Sequence, residues 1–224
     1  QLKLLAELTP GATAEILEII EPEVYLRPAP NADAVQRAAE LLAQARRPLI
    51  WAGGGVNLSG ASQELLYVAE LLNAPVVTTA EGHGALPYAP PPLMGAMNYS
   101  WGPGRDLVPH ADVVLAVGTR FGSHRRDPAE SLNPPQKLVN LNVDETEFGK
   151  SYPVEVGIAT DARIGLQHLA EALRGRGVQG EWDAAELAEI KSGARERMRK
   201  AARSRDGPPP VAHGAYVDAV RPSM

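Results

Sequence analysis

Three consecutive glycines, Gly53 to Gly55, follow a short apolar run in the stretch LIWAGGGVNLSG and precede an amphipathic segment. A strand, a glycine turn and a helix N-terminus make a corner where free backbone N–H groups and the helix dipole favour an anion such as phosphate. The spacing departs from the dinucleotide fingerprint G-x-G-x-x-G, because Leu58 stands at the third glycine position. No G-K-[ST] follows, as a Walker loop would require. Two interpretations remain open: a phosphate corner, or glycines that only permit a tight turn and close packing.

Other side chains at the ends of predicted strands could contact a nucleotide. Arg120 follows the run ADVVLAVGT, and ligands of open α/β sheets bind at the carboxyl ends of strands. Its guanidinium could form a charge-assisted hydrogen bond with a phosphate, or an ordinary surface ion pair. Asp144 could bind a ribose hydroxyl or act as the N-cap of a short helix. Thr78 and Thr79 could reach a phosphate, although β-branched residues are also common at strand ends for structural reasons.

The composition excludes several classes of function. The 224 residues include 27 acidic and 22 basic side chains, a net charge of −5, which argues against a nucleic-acid partner. The absence of cysteine excludes disulfides, thiolate zinc sites and cysteine nucleophiles, and fits a cytoplasmic protein. The histidines show neither metal-ligand spacing nor an adjacent nucleophile, so we expect no metal site and no catalytic residue within the chain. No apolar run approaches the roughly 20 residues of a membrane span, and we expect no membrane partner.

Helices and strands alternate along most of the chain. Apolar residues recur at helical spacing over residues 31–46 and 59–73, with Asn31 as the N-cap of the first helix. A third helix is predicted after Asp161, its N-cap, over ARIGLQHLAEALR. Near-continuous apolar runs predict strands, with a further short one near Leu93: LIWAGGG, PVVTTAEG, ADVVLAVGTRF, KLVNLNVDE and VEVGIATD.

These strands indicate the fold class. Near-continuous apolar runs, rather than alternating ones, are typical of strands buried on both faces, and hence of a parallel sheet covered by helices. Alternating strands and helices build such a sheet through right-handed crossovers. We therefore predict an α/β fold, a three-layer α/β/α domain of Rossmann-like type with a mainly parallel sheet of about six strands.

Two regions depart from this alternation. Residues 82–104 are rich in glycine and proline, and long irregular loops of compact domains are usually functional or disordered. Residues 183–205 predict a helix with a basic second half, in which seven basic residues from position 191 onwards are accompanied by one acid, Glu196. We interpret this helix as a solvated face or a linker between domains, in preference to a nucleic-acid site.

The ordered series of motifs resembles a known family. PLIWAGGGV, APVVTTAEGHGALP, a loop with LMG, ADVVLAVGTRF and LNVDETEFGKSYPVEVGIATDA occur in the order found in the central domain of thiamin-diphosphate-dependent enzymes. The group that they resemble comprises acetolactate synthase, benzoylformate decarboxylase and pyruvate oxidase. The resemblance covers about residues 31–175, and its most specific part is the last of these motifs.

Members of that family use the central domain in three ways: it binds FAD, binds another nucleotide such as ADP, or binds nothing and serves as a scaffold. The resemblance implies that a nucleotide here would contact the following residues: Gly53, Gly54, Gly55, Thr78, Thr79, Gly82, Arg120, Phe121 and Asp144. Two departures bear on this. GAMNYSWG stands where a Met-His-Gly segment is expected, and Gly122 and Ser123 replace the paired aspartates of acetolactate synthases.

The flanks fit the same family. Residues 1–30 resemble the tail of a preceding pyrimidine-binding domain with its linker, residues 31–176 the central domain, and residues 177–224 a helical linker and the start of a following pyrophosphate-binding domain. The resemblance implies a parent enzyme that uses thiamin diphosphate and Mg²⁺ to make or break a carbon–carbon bond next to a carbonyl, typically in a 2-oxo acid. It also implies a homodimer or homotetramer. The motifs that hold this cofactor are missing, so we expect the fragment alone to be inactive.

One alternative belongs to another class of protein. A stand-alone module that binds FAD, NAD or ADP, similar to the NAD domain of deoxyhypusine synthase or to an electron-transfer flavoprotein domain, would need no thiamin chemistry. The broken glycine fingerprint and the fragment-like ends argue against that alternative.

Overall fold

The computed structural model describes residues 27, 29–86, 90–96, 102–121, 132 and 136–203. Within these ranges, six strands form one sheet: β1 Pro48–Ala52, β2 Val76–Thr78, β3 Leu93–Ala96, β4 Val113–Val117, β5 Lys137–Asn142 and β6 Val156–Ala159. The α-helices of the same ranges are α1 Ala32–Ala43, α2 Gly54–Ser59, α3 Ser62–Leu72, α4 Gly104–Leu107, α5 Ala162–Leu173 and α6 Ala184–Arg203. Short 3₁₀ turns cover Val108–His110 and Glu145–Glu147.

The sheet is parallel throughout, with the strand order β3-β2-β1-β4-β5-β6. This is the order of doubly wound nucleotide-binding sheets. The chain winds outwards from β1 in one direction and from β4 in the other, so the topological switch point lies between these two strands. The predicted α/β class and parallel six-stranded sheet are confirmed.

Alternate residues of each strand face two different hydrophobic clusters. On one face Ile50, Leu115 and Leu141 pack against α1, α3 and α5. On the other face Trp51 and Leu138 pack with Leu107, Trp182 and residues of α6. Because both faces are covered, the strands are buried on both sides, as their continuous apolar sequences predicted.

Helix ends follow local side-chain chemistry. Asn31 Oδ1 accepts from the Ala34 N–H (3.0 Å), and Asp161 Oδ1 accepts from the Arg163 N–H (3.0 Å), so both predicted N-caps are confirmed. The predicted helix over residues 59–73 begins later, at Ser62, and a separate short helix, α2, precedes it. The cause is Gly60, whose left-handed φ of 63° ends α2 and turns the chain before α3.

Several expectations fall outside the described residues. The resemblance of residues 1–24 to a preceding domain, that of residues 212–224 to a following one, and the departures at GAMNYSWG and at Gly122 and Ser123 all involve such positions. The helix predicted over residues 183–205 is described as far as Arg203, and it packs on the second face of the sheet through Leu187 and Ile190. Among the helices described, none is long and apolar enough to cross a membrane.

Candidate functional site

The candidate site lies at the switch point, where the glycine corner after β1 meets the loop after β4. The Gly53 N–H donates to Val117 O (2.8 Å), and the Gly55 N–H donates to Gly118 O (3.0 Å). These two bonds join the corner to β4 beyond the last paired residues of the strands. The location is the one where open α/β sheets bind ligands.

Close packing explains two of the three glycines. A Cβ atom at Gly53 would lie 2.3 Å from Gly118 O, and one at Gly55 would lie 2.7 Å from Gly118 Cα. Gly118 itself has a left-handed φ of 57°. Gly54 differs, because its nearest neighbour is the Cβ atom of Glu81, at 3.1 Å from an added methyl. In the described part of the chain nothing accepts from the Gly54 N–H, so it is the corner's available donor to an anion.

A second turn, after β2, is closed by its own side chains. Thr79 Oγ1 accepts from the Gly82 N–H (3.0 Å), and the Thr79 N–H donates to Ala52 O (2.9 Å). Gly82 packs so closely on β1 that an added Cβ would lie 2.3 Å from Ala52 O. Thr78, the last residue of β2, is buried. The Thr79 hydroxyl and the Gly82 N–H are therefore occupied in holding the turn.

Asn57 holds the same turn from the other side, a role that was not predicted from the sequence. Its Nδ2 donates to both Glu81 O and His83 O, each at 3.0 Å. The loop after β2 is thus fixed against α2, beside the glycine corner.

Arg120 and Phe121 point in opposite directions. Arg120 is exposed and forms no ion pair with the residues that the structure describes. Phe121 has a left-handed φ of 51°, and its N–H donates to Thr119 Oγ1 (3.1 Å). Its ring packs edge-on against Trp51 and Tyr152, each with a centroid separation of 5.1 Å, and the residue is 6% exposed. Arg120 therefore faces outwards from the sheet edge, while the Phe121 ring belongs to the core.

Asp144 caps the short turn after β5. Its Oδ1 accepts from the Thr146 hydroxyl (2.7 Å) and the Thr146 N–H (3.0 Å), so the N-cap interpretation is confirmed. These two bonds, the hydroxyl first, lower the pKa of the carboxyl below its ordinary value. Slight desolvation opposes them, and the charges of Lys150 and Arg120 lower the pKa further. The carboxylate is therefore ionised at neutral pH and lies within the field of Arg120.

Two neighbours of Asp144 were not identified from the sequence. Val143 is 74% exposed, although it directly follows a buried strand, so it presents an apolar surface beside the carboxylate. Asn142 is buried, and its side chain bonds both the loop after β4 and the loop after β5. Asn142 lies in a mainly apolar run, and its partner Thr119 is distant in sequence. The sequence alone therefore does not indicate this role.

The carboxyl ends of β1, β4 and β5 thus carry the amide of Gly54, the guanidinium of Arg120, the carboxylate of Asp144 and the apolar side chain of Val143. These groups can bind an anion and a nucleoside, and they suit binding more than bond cleavage. Thr79 and Gly82 close the neighbouring turn, and Thr78 is buried at the end of β2. Among the described residues, no group of three acidic or histidine side chains could hold a metal ion.

The comparisons with known proteins identify the family. Residues 35–169 match the family model described as "Thiamine pyrophosphate enzyme, central domain". A protein of Methanococcus aeolicus named "Probable acetolactate synthase large subunit" is 36% identical over 140 residues, which cover 62% of this chain and 23% of that protein. Glyoxylate carboligase of Escherichia coli O157:H7 is 30% identical over 156 residues, which cover 69% of this chain and 26% of that protein.

A solved structure agrees in fold. Benzoylformate decarboxylase from Polynucleobacter necessarius aligns with a TM-score of 0.57 over 69% of this chain and 29% of that one, at 19% identity. The matched part spans about a quarter of the length of these relatives. The predicted resemblance is confirmed. The chain belongs to the family of thiamin-diphosphate-dependent enzymes, and its residues 35–169 match the central domain of that family.

Proposed function

We propose that this central domain binds a nucleotide with a diphosphate, either ADP or FAD, at the switch-point edge of its sheet. The observation that supports this most is the arrangement of Arg120 and Asp144 on adjacent loops. Arg120 is exposed without an ion-pair partner among the described residues, and its charge acts on the Asp144 carboxylate. A guanidinium suits phosphate and a carboxylate suits ribose hydroxyls, which are the two polar parts of such a ligand.

The surrounding residues fit the rest of a nucleotide. The Gly54 N–H, at the start of α2, adds a backbone donor for a phosphate oxygen. Val143 offers an exposed apolar surface for a base. Phe121 supports the site from the core and not by contact, because its ring is buried between two other aromatic rings.

For the parent protein we propose an enzyme that makes or breaks a carbon–carbon bond next to a carbonyl, on a 2-oxo acid. Thiamin diphosphate would supply the electron sink for that chemistry. We assign thiamin diphosphate and Mg²⁺ to flanking domains, since the described residues offer no set of ligands for a metal. In this proposal the parent is a cytoplasmic homodimer or homotetramer, and the present fragment alone is inactive. The relatives are named for different activities, so the comparison with them does not select one substrate.

A second candidate function is a scaffold without a ligand. It is favoured by the backbone bonds of Gly53 and Gly55, which use two of the three N–H groups of the corner for packing. The domain would then bind nothing and serve as a scaffold, and the glycines would only bring α2 close to β4.

Thermal unfolding of the 224-residue chain distinguishes these functions. At a nucleotide concentration 100 times its dissociation constant, binding adds about 2.7 kcal/mol, or roughly 5 to 10 °C in Tm. The proposal predicts such a shift with ADP or FAD. Equal Tm values with and without ADP, FAD and NAD would refute nucleotide binding and favour the scaffold. A shift with NAD alone would favour a different ligand at the same edge.

A further inference from the structure

Asn142, the last residue of β5, connects two loops of the candidate site through its side-chain amide. Its Nδ2 donates to Thr119 O (3.0 Å), in the loop after β4. Its Oδ1 accepts from the Asp144 N–H (3.1 Å), in the loop after β5. Thr119 directly precedes Arg120, so one buried amide spans the loops that carry the cation and the carboxylate.

Burial makes both bonds significant. Asn142 is 5% exposed and Thr119 is 2% exposed, so water does not compete readily for these groups. A buried donor or acceptor that loses its partner keeps its full cost of desolvation, and the loop is therefore held where the bond can form. The two residues that flank Arg120 are also bonded to each other, because the Phe121 N–H donates to the Thr119 hydroxyl oxygen. The backbone around Arg120 is fixed although its side chain is exposed.

We propose that Asn142 is a positioning residue, which sets the separation of Arg120 and Asp144 without contacting the nucleotide. This inference rests on the proposed function. The diphosphate and the ribose of a nucleotide are a fixed number of bonds apart, so a site whose cation and carboxylate are already held at the matching separation loses less conformational freedom on binding.

Asn140 provides a matched control on the same strand. It lies two residues before Asn142, so it faces the same side of the sheet, and it is 1% exposed. Among the residues that the structure describes, its amide nitrogen and oxygen find no hydrogen-bond partner. Asn140→Leu therefore replaces an equally buried amide by an apolar side chain without breaking a bond to either loop.

The test measures ADP binding by titration calorimetry to the 224-residue chain and to its Asn142→Leu and Asn140→Leu variants. We expect Asn142→Leu to weaken ADP binding by roughly tenfold and Asn140→Leu to leave it unchanged. When Arg120 is already replaced by Ala, Asn142→Leu should reduce the affinity for ADP by a smaller factor, because Asn142 acts partly through Arg120. A merely structural role would give the same loss in both backgrounds.

A second readout does not depend on the ligand. Hydrogen exchange followed by NMR should be faster at the Asp144 amide in Asn142→Leu, and unchanged in Asn140→Leu. If Asn142→Leu does not fold, Asn142→Asp replaces it, since Asp keeps an acceptor for the Asp144 N–H and puts a carboxylate oxygen, which cannot donate when ionised, against Thr119 O. That variant should weaken ADP binding while the Asp144 amide stays protected.

The outcomes separate the two proposals. If the wild-type chain binds ADP and the Asn142 variants bind it equally well, the positioning role is wrong and the nucleotide site stands. Equal losses in the Asn140 and Asn142 variants would also overturn the positioning role. If the wild-type chain binds neither ADP nor FAD, the proposed function fails, and the positioning role fails with it.

Discussion

Adjacent glycines in the corner should differ strongly in how much stability they lose when the same methyl group is added. At Gly53, the three atoms nearest to an added Cβ are all backbone, and the closest is Gly118 O at 2.3 Å. Ordinary contact begins at 3.4 Å, so the corner and the loop after β4 must separate by about 1 Å. That movement disrupts the bonds from Gly53 to Val117 and from Gly55 to Gly118. Overpacking together with a lost backbone bond predicts a loss of about 3 kcal/mol for Gly53→Ala.

Gly54→Ala is the matched control. Its nearest contact is the Cβ atom of Glu81 at 3.1 Å, in an exposed turn that can move by a few tenths of an ångström. Alanine also favours the helix that begins at Gly54, which offsets the contact, so the net change should be within about 0.5 kcal/mol. Urea unfolding followed by the fluorescence of the buried Trp51 and Trp182 measures both. Equal midpoints for the two variants would refute the packing argument.

Three further substitutions test other parts of the fold. Asp161→Ala should lower the free energy of unfolding by about 1 to 2 kcal/mol in urea, since Asp161 caps α5 and accepts from the Ser59 hydroxyl (2.7 Å); unchanged stability would contradict the cap. Asn140→Leu should raise the free energy of unfolding by about 1 to 2 kcal/mol, because it removes a buried amide that has no partner in the described part of the chain; a loss would show that the amide is bonded. Burial raises the pKa of Glu64, but bonds from its own backbone N–H, Arg163 and Gln167 outweigh this and lower the pKa below 4.5. A lowered folded-state pKa stabilises the fold above the unfolded-state pKa, and this contribution is lost as the pH falls through the folded-state pKa. The urea midpoints of wild type and Glu64→Gln should therefore differ near neutral pH and converge as the solution is made acidic; a constant difference would be the contrary result.

Strand and helix positions were predictable because burial on both faces leaves a strong local pattern. The apolar runs around Leu49, Val114 and Val139 became β1, β4 and β5, and Asn31 and Asp161 capped the helices that follow them. The predicted helix over residues 59–73 began three residues before α3, and no separate helix was predicted over Gly54–Ser59. In the structure Leu58 is 89% exposed, and Gly60 ends the first helix.

The site was less predictable than the fold. Arg120 and Asp144 follow strands, and their residue types indicated that a ligand binds at this edge of the sheet. The same residue types also form caps and surface ion pairs. A ligand site is told apart from caps and surface ion pairs by contacts between neighbouring strands and loops. Here these contacts are the amide of Asn142 between two loops and the close approach of Gly53 to Gly118. Such contacts depend on strand order, and local patterns carry no information about it.

The central claim is that a nucleotide binds at the switch-point edge through Arg120. Titration calorimetry of ADP into the wild-type chain, Arg120→Ala and Arg199→Ala tests it most directly, because Arg199 is an exposed arginine of α6 that is not among the residues of the candidate site. Loss of a charged hydrogen bond, about 1.5 to 3 kcal/mol, predicts that Arg120→Ala binds ADP roughly 10- to 150-fold more weakly, while Arg199→Ala binds like the wild type. Equal affinity in all three proteins would contradict the claim, and so would a wild-type chain that binds neither ADP nor FAD.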